Sequence, residues 1–255
     1  MKALVTSLLF FSVLALLILE NSSLFAEENS ITEDEVETID KIASLEDVEV
    51  ATFTMEITDK KKGKPSKNSP MRMTYYLNHG QIAIKPEMED EQNTVMIYDI
   101  EDKTMTTLID QNGERTGMKM KMPSFKLDSK ELDGFDATIE ATNETRTIDG
   151  YDCKKYLIES SDYKGHAWIT EEVDLDFEKI FSFLNIKKDS KSKMPKFGDI
   201  DGFAMETYSK HKSKDEEYEM KVIDLKVGEV DEAIFDTSEY TITDMSSLLN
   251  LGGER

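Results

Sequence analysis

The chain has 255 residues, with 31 Lys and Arg against 53 Asp and Glu, for a formal charge of −22 at pH 7. That excess of acid disfavours nucleic-acid binding and broad docking onto anionic lipid. Cys153 is the only cysteine, which excludes an intrachain disulfide and leaves the core to hold by burial. Its thiol reads as a small buried apolar group.

Lys2 followed by the apolar run Ala3 to Leu19 reads as a secretory signal peptide, residues 1–26, cut after Ala26. The alternative is an uncleaved anchor, for which the run is short. No cysteine near the cut could carry a lipid. Residues 27–46 then predict an amphipathic helix. Ser30 and Glu33 have capping-box spacing, and Val36, Ile39, Ile42 and Ala43 share one face.

From Val48 the period changes to two. "VEVATFTMEITD" predicts a strand with a phase slip at Ala51 that marks a bulge. "MRMTYYLNHGQIAIK" predicts a hairpin, with Met71, Met73, Tyr75 and Leu77 on one face and a turn at Asn78 to Gly80. "TVMIYDIEDKTMTTLIDQNGE" repeats the plan, and "GMKMKMP" follows as a strand that stops at Pro123. Strand signals return in "DATIEAT", "CKKYLIES" and "GHAWIT", with Asp149-Gly150 as a turn. "EEVDLDFEKIFSFLNIKK" predicts a helix over 172–187, with Val173, Phe177, Ile180, Phe181 and Leu184 on its apolar face. Two further strands follow, "GFAMETYSK" and "EYEMKVIDLKV", then "DEAIFDTSEYTI" and a tail over 246–255. The expected fold is α+β. About ten antiparallel strands over 47–245 curl by their twist into a half-barrel, and helices cover its concave face.

The segments "TVMIYDIEDKTMTTLID", "GMKMKMP", "TRTIDGYDCKKYLIE", "AWITEEV", "GFAMETYSK" and "DEAIFDTSEY" resemble, in order and spacing, a bacterial exported family known as a domain of unknown function. "GYDCKKY" (Gly-Tyr-x-Cys-x-x-Tyr) is the most specific of them. Proteins of that family are similar in architecture to periplasmic lipoprotein-localisation carriers. The resemblance implies an open half-barrel, lidded by helices, that accepts acyl chains. It brings no catalytic residues.

Met118, Met120 and Met122 fall on one strand face by the period of two, with Lys119 and Lys121 on the other. Thioethers are good Cu(I) ligands, but a metal site usually adds His or Cys. His79, His166 and His211 all lie away from these methionines in sequence. A copper-handling accessory is therefore the third reading, behind a packed or groove-lining strand. The groove candidates are Met71, Met73, Tyr75, Met118, Met120, Met122, Trp168, Phe177, Phe181 and Leu184. No Gly-x-Ser-x-Gly elbow is present, and "DLDFE" lacks the glycine and downstream glutamate of a calcium loop. The chain is read as a non-enzyme without metal or cofactor.

Two stretches, "KKKGKPSK" and "KKDSKSKMPK", hold five lysines each and read as solvated loops, with contact to lipid headgroups or an acidic partner as the sharper alternative. The leading functional expectation is an exported, periplasmic protein that binds an acyl chain or a lipoprotein's lipid. The rival is a structural or interaction module of the envelope with an envelope protein as partner. Nucleic acid is not expected, and the oligomeric state is not legible from sequence.

Overall fold

The computed structural model describes residues 50–67, 69–87, 93–121, 137–175, 200 and 202–246. All of them lie within one compact unit, Ala43–Ser246, while the other unit, Met1–Ile42 with Ser247–Arg255, falls outside the described residues.

Residues that alternate apolar with Thr, Lys or Glu form strands wherever the sequence keeps that alternation. They are β1 (Ala51–Lys61), β2 (Lys64–Pro65), β3 (Met71–Asn78), β4 (Gln81–Pro86), β5 (Asn93–Asp99), β6 (Thr104–Gln111) and β7 (Glu114–Lys121). After these come β8 (Ala137–Ile148), β9 (Tyr151–Ser160), β10 (Tyr163–Thr170), β11 (Phe203–His211), β12 (Glu216–Val227) and β13 (Thr241–Asp244). Together they form a single 13-stranded sheet in the order β13-β7-β6-β5-β4-β3-β1-β12-β11-β10-β9-β8, with β2 off this path on β1. The sheet is open, with β8 and β13 at its ends.

Four hairpins close on two residues that both have positive φ: Lys62-Gly63, His79-Gly80, Asn112-Gly113 and Asp149-Gly150. This backbone matches the right-handed twist of the flanking strands, and glycine takes its second position without a Cβ penalty. The expected turns at 78–80, 112–113 and 149–150 are therefore found. The slip expected in β1 at Ala51 is not found: the β1–β12 register shifts between Thr52 and Thr54, but the extra residue lies on β12, where Asp224 has positive φ, and β1 pairs with β3 without a shift.

The expectation of an α+β half-barrel under helices is corrected. Among the described residues the chain is nearly all β, and the only helical element is the 3-10 turn Glu232–Phe235. No helix among them is long and apolar enough to cross a membrane. The helix expected over 27–46 lies outside the described residues, as does most of 172–187. The part of 172–187 that is described is not helical. Val173 and Leu175, two residues apart, are both buried at 2% and 3% exposure, which is extended-chain spacing. The Thr170 hydroxyl accepts a hydrogen bond from the Glu172 N–H at 3.2 Å, a local turn that competes with helix initiation.

Two further differences concern the strands. "KKKGKPSK" is not a loop: β1 runs on through Lys61 and turns back as β2. β13 pairs with β7 in parallel rather than in hairpin order. It can do so because the connection from β12 lays Ile234, Phe235 and Tyr240 over Ala83, Val95, Ile97 and Leu108, which gives the outer strands a second small core.

The main core is centred on β1 and its neighbours. Phe53, fully buried, stacks on Tyr75 at 5.0 Å between ring centroids and meets Phe203 edge-on at 5.4 Å. At Gly165 on β10 an added Cβ would stand 1.9 Å from the Tyr208 carbonyl oxygen, so the close approach of β10 to β11 requires glycine. The β8–β9 turn is tied to β12 by Asp149, whose carboxylate accepts from the Leu225 N–H at 2.9 Å.

Candidate functional site

Paired residues on neighbouring strands share a sheet face, so the register alone assembles a surface. One row runs Ala51, Leu77, Ile82, Tyr98, Met105, Met120 across β1, β3, β4, β5, β6 and β7. A second runs Phe53, Tyr75, Ile84, Met96, Thr107, Met118 across the same strands. A third joins Val222, Met55 and Met73, and a fourth joins Thr207, Met220, Ile57 and Met71. Of the chain's 14 methionines, Met55, Met71, Met73, Met96, Met105, Met118, Met120 and Met220 thus share one face.

This face is not uniformly covered. Met55 and Met220 are buried at its centre. Met73, Met96, Met105, Met118 and Met120 are only partly buried, and Met71 is 44% exposed. The two long rows span five inter-strand spacings, about 24 Å. Every side chain in them is apolar, aromatic or threonine. Burial raises the phenols of Tyr75 and Tyr98 above the usual tyrosine value. The Tyr75 hydroxyl lies 3.9 Å from the Met73 sulfur. Such a surface can cover apolar groups of varied shape.

The opposite face differs along the sheet: on β4, β5 and β6 it carries the second small core, whereas from β9 to β3 it is charged. One row there runs Lys155, Trp168, Glu206, Lys221, Glu56, Arg72 across β9, β10, β11, β12, β1 and β3. Arg72 bonds Glu56 at 2.7 Å, Arg146 bonds Glu206 at 2.7 Å, and Lys155 bonds Glu144 at 3.0 Å. The Arg146 guanidinium stands 4.2 Å over the Trp168 ring and the Lys155 ammonium 5.6 Å from it, so one buried indole carries two cations.

Of the residues expected to line a groove, Met71, Met73, Tyr75, Met118 and Met120 therefore share a face, and Lys119 lies opposite, paired with Thr106. Trp168 does not join them. Its neighbour Ala167 pairs with Tyr156 and Thr207 on the methionine face, so Trp168 falls among the charges. Met122, Phe177, Phe181 and Leu184 lie outside the described residues. Met55, Met96, Met105 and Met220 belong to the face but were absent from the sequence-derived set. Their signal was the alternation of each strand, and it becomes usable only once the hairpin registers are fixed.

The remaining reactive groups sit elsewhere. Cys153 is 1% exposed, its sulfhydryl donates to the Tyr151 carbonyl at 3.5 Å, and burial pushes its thiol up to about 11. His79 occupies the β3–β4 turn, and His166 lies beside Tyr208 on the charged face at 5.5 Å between rings. Burial and then the Lys155 charge hold the His166 imidazole below its usual range. His211 packs on Tyr163 at the far end of β11, and its Nδ1 accepts from the Ser213 and Lys214 N–H groups at 3.1 and 3.2 Å. Among the described residues no group of three or more His, Cys, Asp or Glu is placed to hold a metal ion.

Three solved structures are similar at low identity. PNGF-II is 12% identical with a TM-score of 0.34, over 79% of this chain and 32% of that one, so the chain spans about a third of PNGF-II's length. The Mycobacterium tuberculosis lipoprotein LppX is 9% identical with a TM-score of 0.33, over 75% of this chain and 94% of that one. A LolA superfamily protein from Nitrosomonas europaea is 9% identical with a TM-score of 0.30, over 82% and 99%. Likenesses at these scores assign neither ligand nor activity. No functionally curated protein matches the chain. Residues 52–239, most of the chain, match the family described as Domain of unknown function (DUF4412), and the protein belongs to that family.

Proposed function

We propose that this chain is an exported, non-enzymatic protein of the periplasm that binds an acyl chain, free or as part of a lipidated protein, along the methionine face. The observation that carries the reading is the partial burial of Met73, Met96, Met105, Met118 and Met120 in register on one uncharged face. An acyl chain laid across these rows removes apolar area from water at about 25 cal/mol per Å². Association costs about 4 kcal/mol or more, so one thioether is too little and several have to be covered together. Rows that run through six strands allow that. Flexible, polarizable thioethers let the same face adapt to different chains.

The non-enzymatic part of the reading is supported by the buried, protonated thiol of Cys153 and by the scatter of the three histidines. The Gly-Tyr-x-Cys-x-x-Tyr segment fits a structural signature. Gly150 closes a hairpin at φ 89°, Cys153 fills the core, and Tyr156 pairs with Ala167 on the methionine face. The test is organic extraction of the folded protein, purified from its host, followed by mass spectrometry. Reproducible acyl species in stoichiometric yield are the expected result. A blank from a folded sample would remove the ligand and leave an envelope interaction module.

A further inference from the structure

We infer that the β1–β2 hairpin end of the sheet docks on an anionic lipid surface and presents the open end of the methionine face to it. The inference rests on the acyl-binding reading but stands on different residues. Asp59 to Lys67 hold five lysines against one acid, a local charge of +4 in a chain of −22. The hairpin is a fixed projection. Lys60 pairs with Pro65 and Lys61 with Lys64. The Ser66 N–H donates to the Asp59 carbonyl at 3.0 Å, and the Lys62 N–H donates to the Asp215 carbonyl at 2.8 Å. Lys61 is held by Glu216 at 3.2 Å. Lys62, Lys64 and Lys67 are exposed at or beside the tip.

Register decides what lies beside these lysines. Three residues before Lys60, Ile57 pairs with Met71, the most exposed thioether of the face, and Asp59 pairs with Tyr218, itself 38% exposed. Tyr218 shares its face with Met220, two residues on along β12. The end of the sheet therefore carries exposed Met and Tyr next to held lysines, with Asp59, Asp215, Glu216 and Glu217 the nearby acids and Lys210 already paired to Glu217 at 2.7 Å. Apolar groups with a cationic rim are what a headgroup layer selects. A bilayer is also the place where an acyl chain would enter or leave. The overall charge of −22 opposes docking through the acidic remainder of the surface, which favours contact through this corner among the described residues.

The test expresses the full chain, purifies it from the exported soluble fraction, and measures co-sedimentation with vesicles. These are phosphatidylcholine alone or phosphatidylcholine with one third phosphatidylglycerol. The variant is Lys62→Asn with Lys64→Gln and Lys67→Gln, in which Asn tolerates the positive φ of residue 62. Each lysine near an anionic surface contributes about fivefold to partitioning, so the triple variant is expected to lose on the order of a hundredfold. The loss should come without a change in melting temperature and without a change in acyl-probe affinity measured in the absence of membrane. Salt should weaken the parent's binding. Equal binding to both vesicle types, no binding to either, or an unaltered triple variant would overturn the inference. So would retention on soluble polyglutamate but not on vesicles, which would instead mark an acidic protein partner. Failure of acyl-probe binding alone would sink the functional reading and leave the docking result standing.

Discussion

The two faces of the central strands solve opposite problems with the same backbone. On one, Lys155, Trp168, Glu206, Lys221, Glu56 and Arg72 alternate so that most neighbours are of opposite sign or stack on the indole. On the other, thioethers and aromatics meet with no pairing rule at all. A slip by one residue would send the charges into the core, and a slip by two would set Glu56 against Thr74 or Pro70 in place of Arg72. The polar face therefore penalises wrong registers, which frees the apolar face to use soft, unspecific side chains. Division of labour between specificity and adaptability is the lesson of the comparison.

Removing the aromatic anchor breaks the apolar side hardest. Phe53→Ala, which deletes a fully buried ring stacked on Tyr75 and edge-on to Phe203, should cost about 3–5 kcal/mol in urea unfolding. On the charged side the effect is smaller. A double-mutant cycle of Arg146→Ala and Trp168→Phe should return a coupling of about 0.5–1 kcal/mol, since the guanidinium is 39% exposed and solvent screens it. Met118→Leu at the partly buried margin should change stability least, by less than about 1 kcal/mol. A larger loss there than at Phe53 would mean that the margin, rather than the centre, is the packed core.

Much of this sheet could be read from residues alone. Asn112-Gly113 and Asp149-Gly150 announce their turns, and the alternation in "MRMTYYL" and "GMKMKM" puts Met71, Met73, Tyr75, Met118 and Met120 on one face, as found. Trp168 is buried with the core residues, as an aromatic near an apolar run suggests, but it lies across the sheet from the methionines. Its burial under Arg146 and Lys155 depends on which neighbours β9 and β8 supply, and no local pattern contains that. Val173 fits a helix stripe in sequence, yet it is buried together with Leu175 at extended spacing after β10. β13 was invisible for a similar reason: four polar-rich residues become a strand only because the chain returns alongside β7.

The central claim is that the acyl chain lies on the methionine face, and the single native tryptophan, which sits on the other face, makes a direct test available. Fluorescence quenching by a brominated long-chain fatty acid should leave native Trp168 emission unchanged. The same ligand should quench a Met118→Trp variant built in a Trp168→Phe background. Saturable quenching of native Trp168, or none in the Met118→Trp variant, would contradict the account.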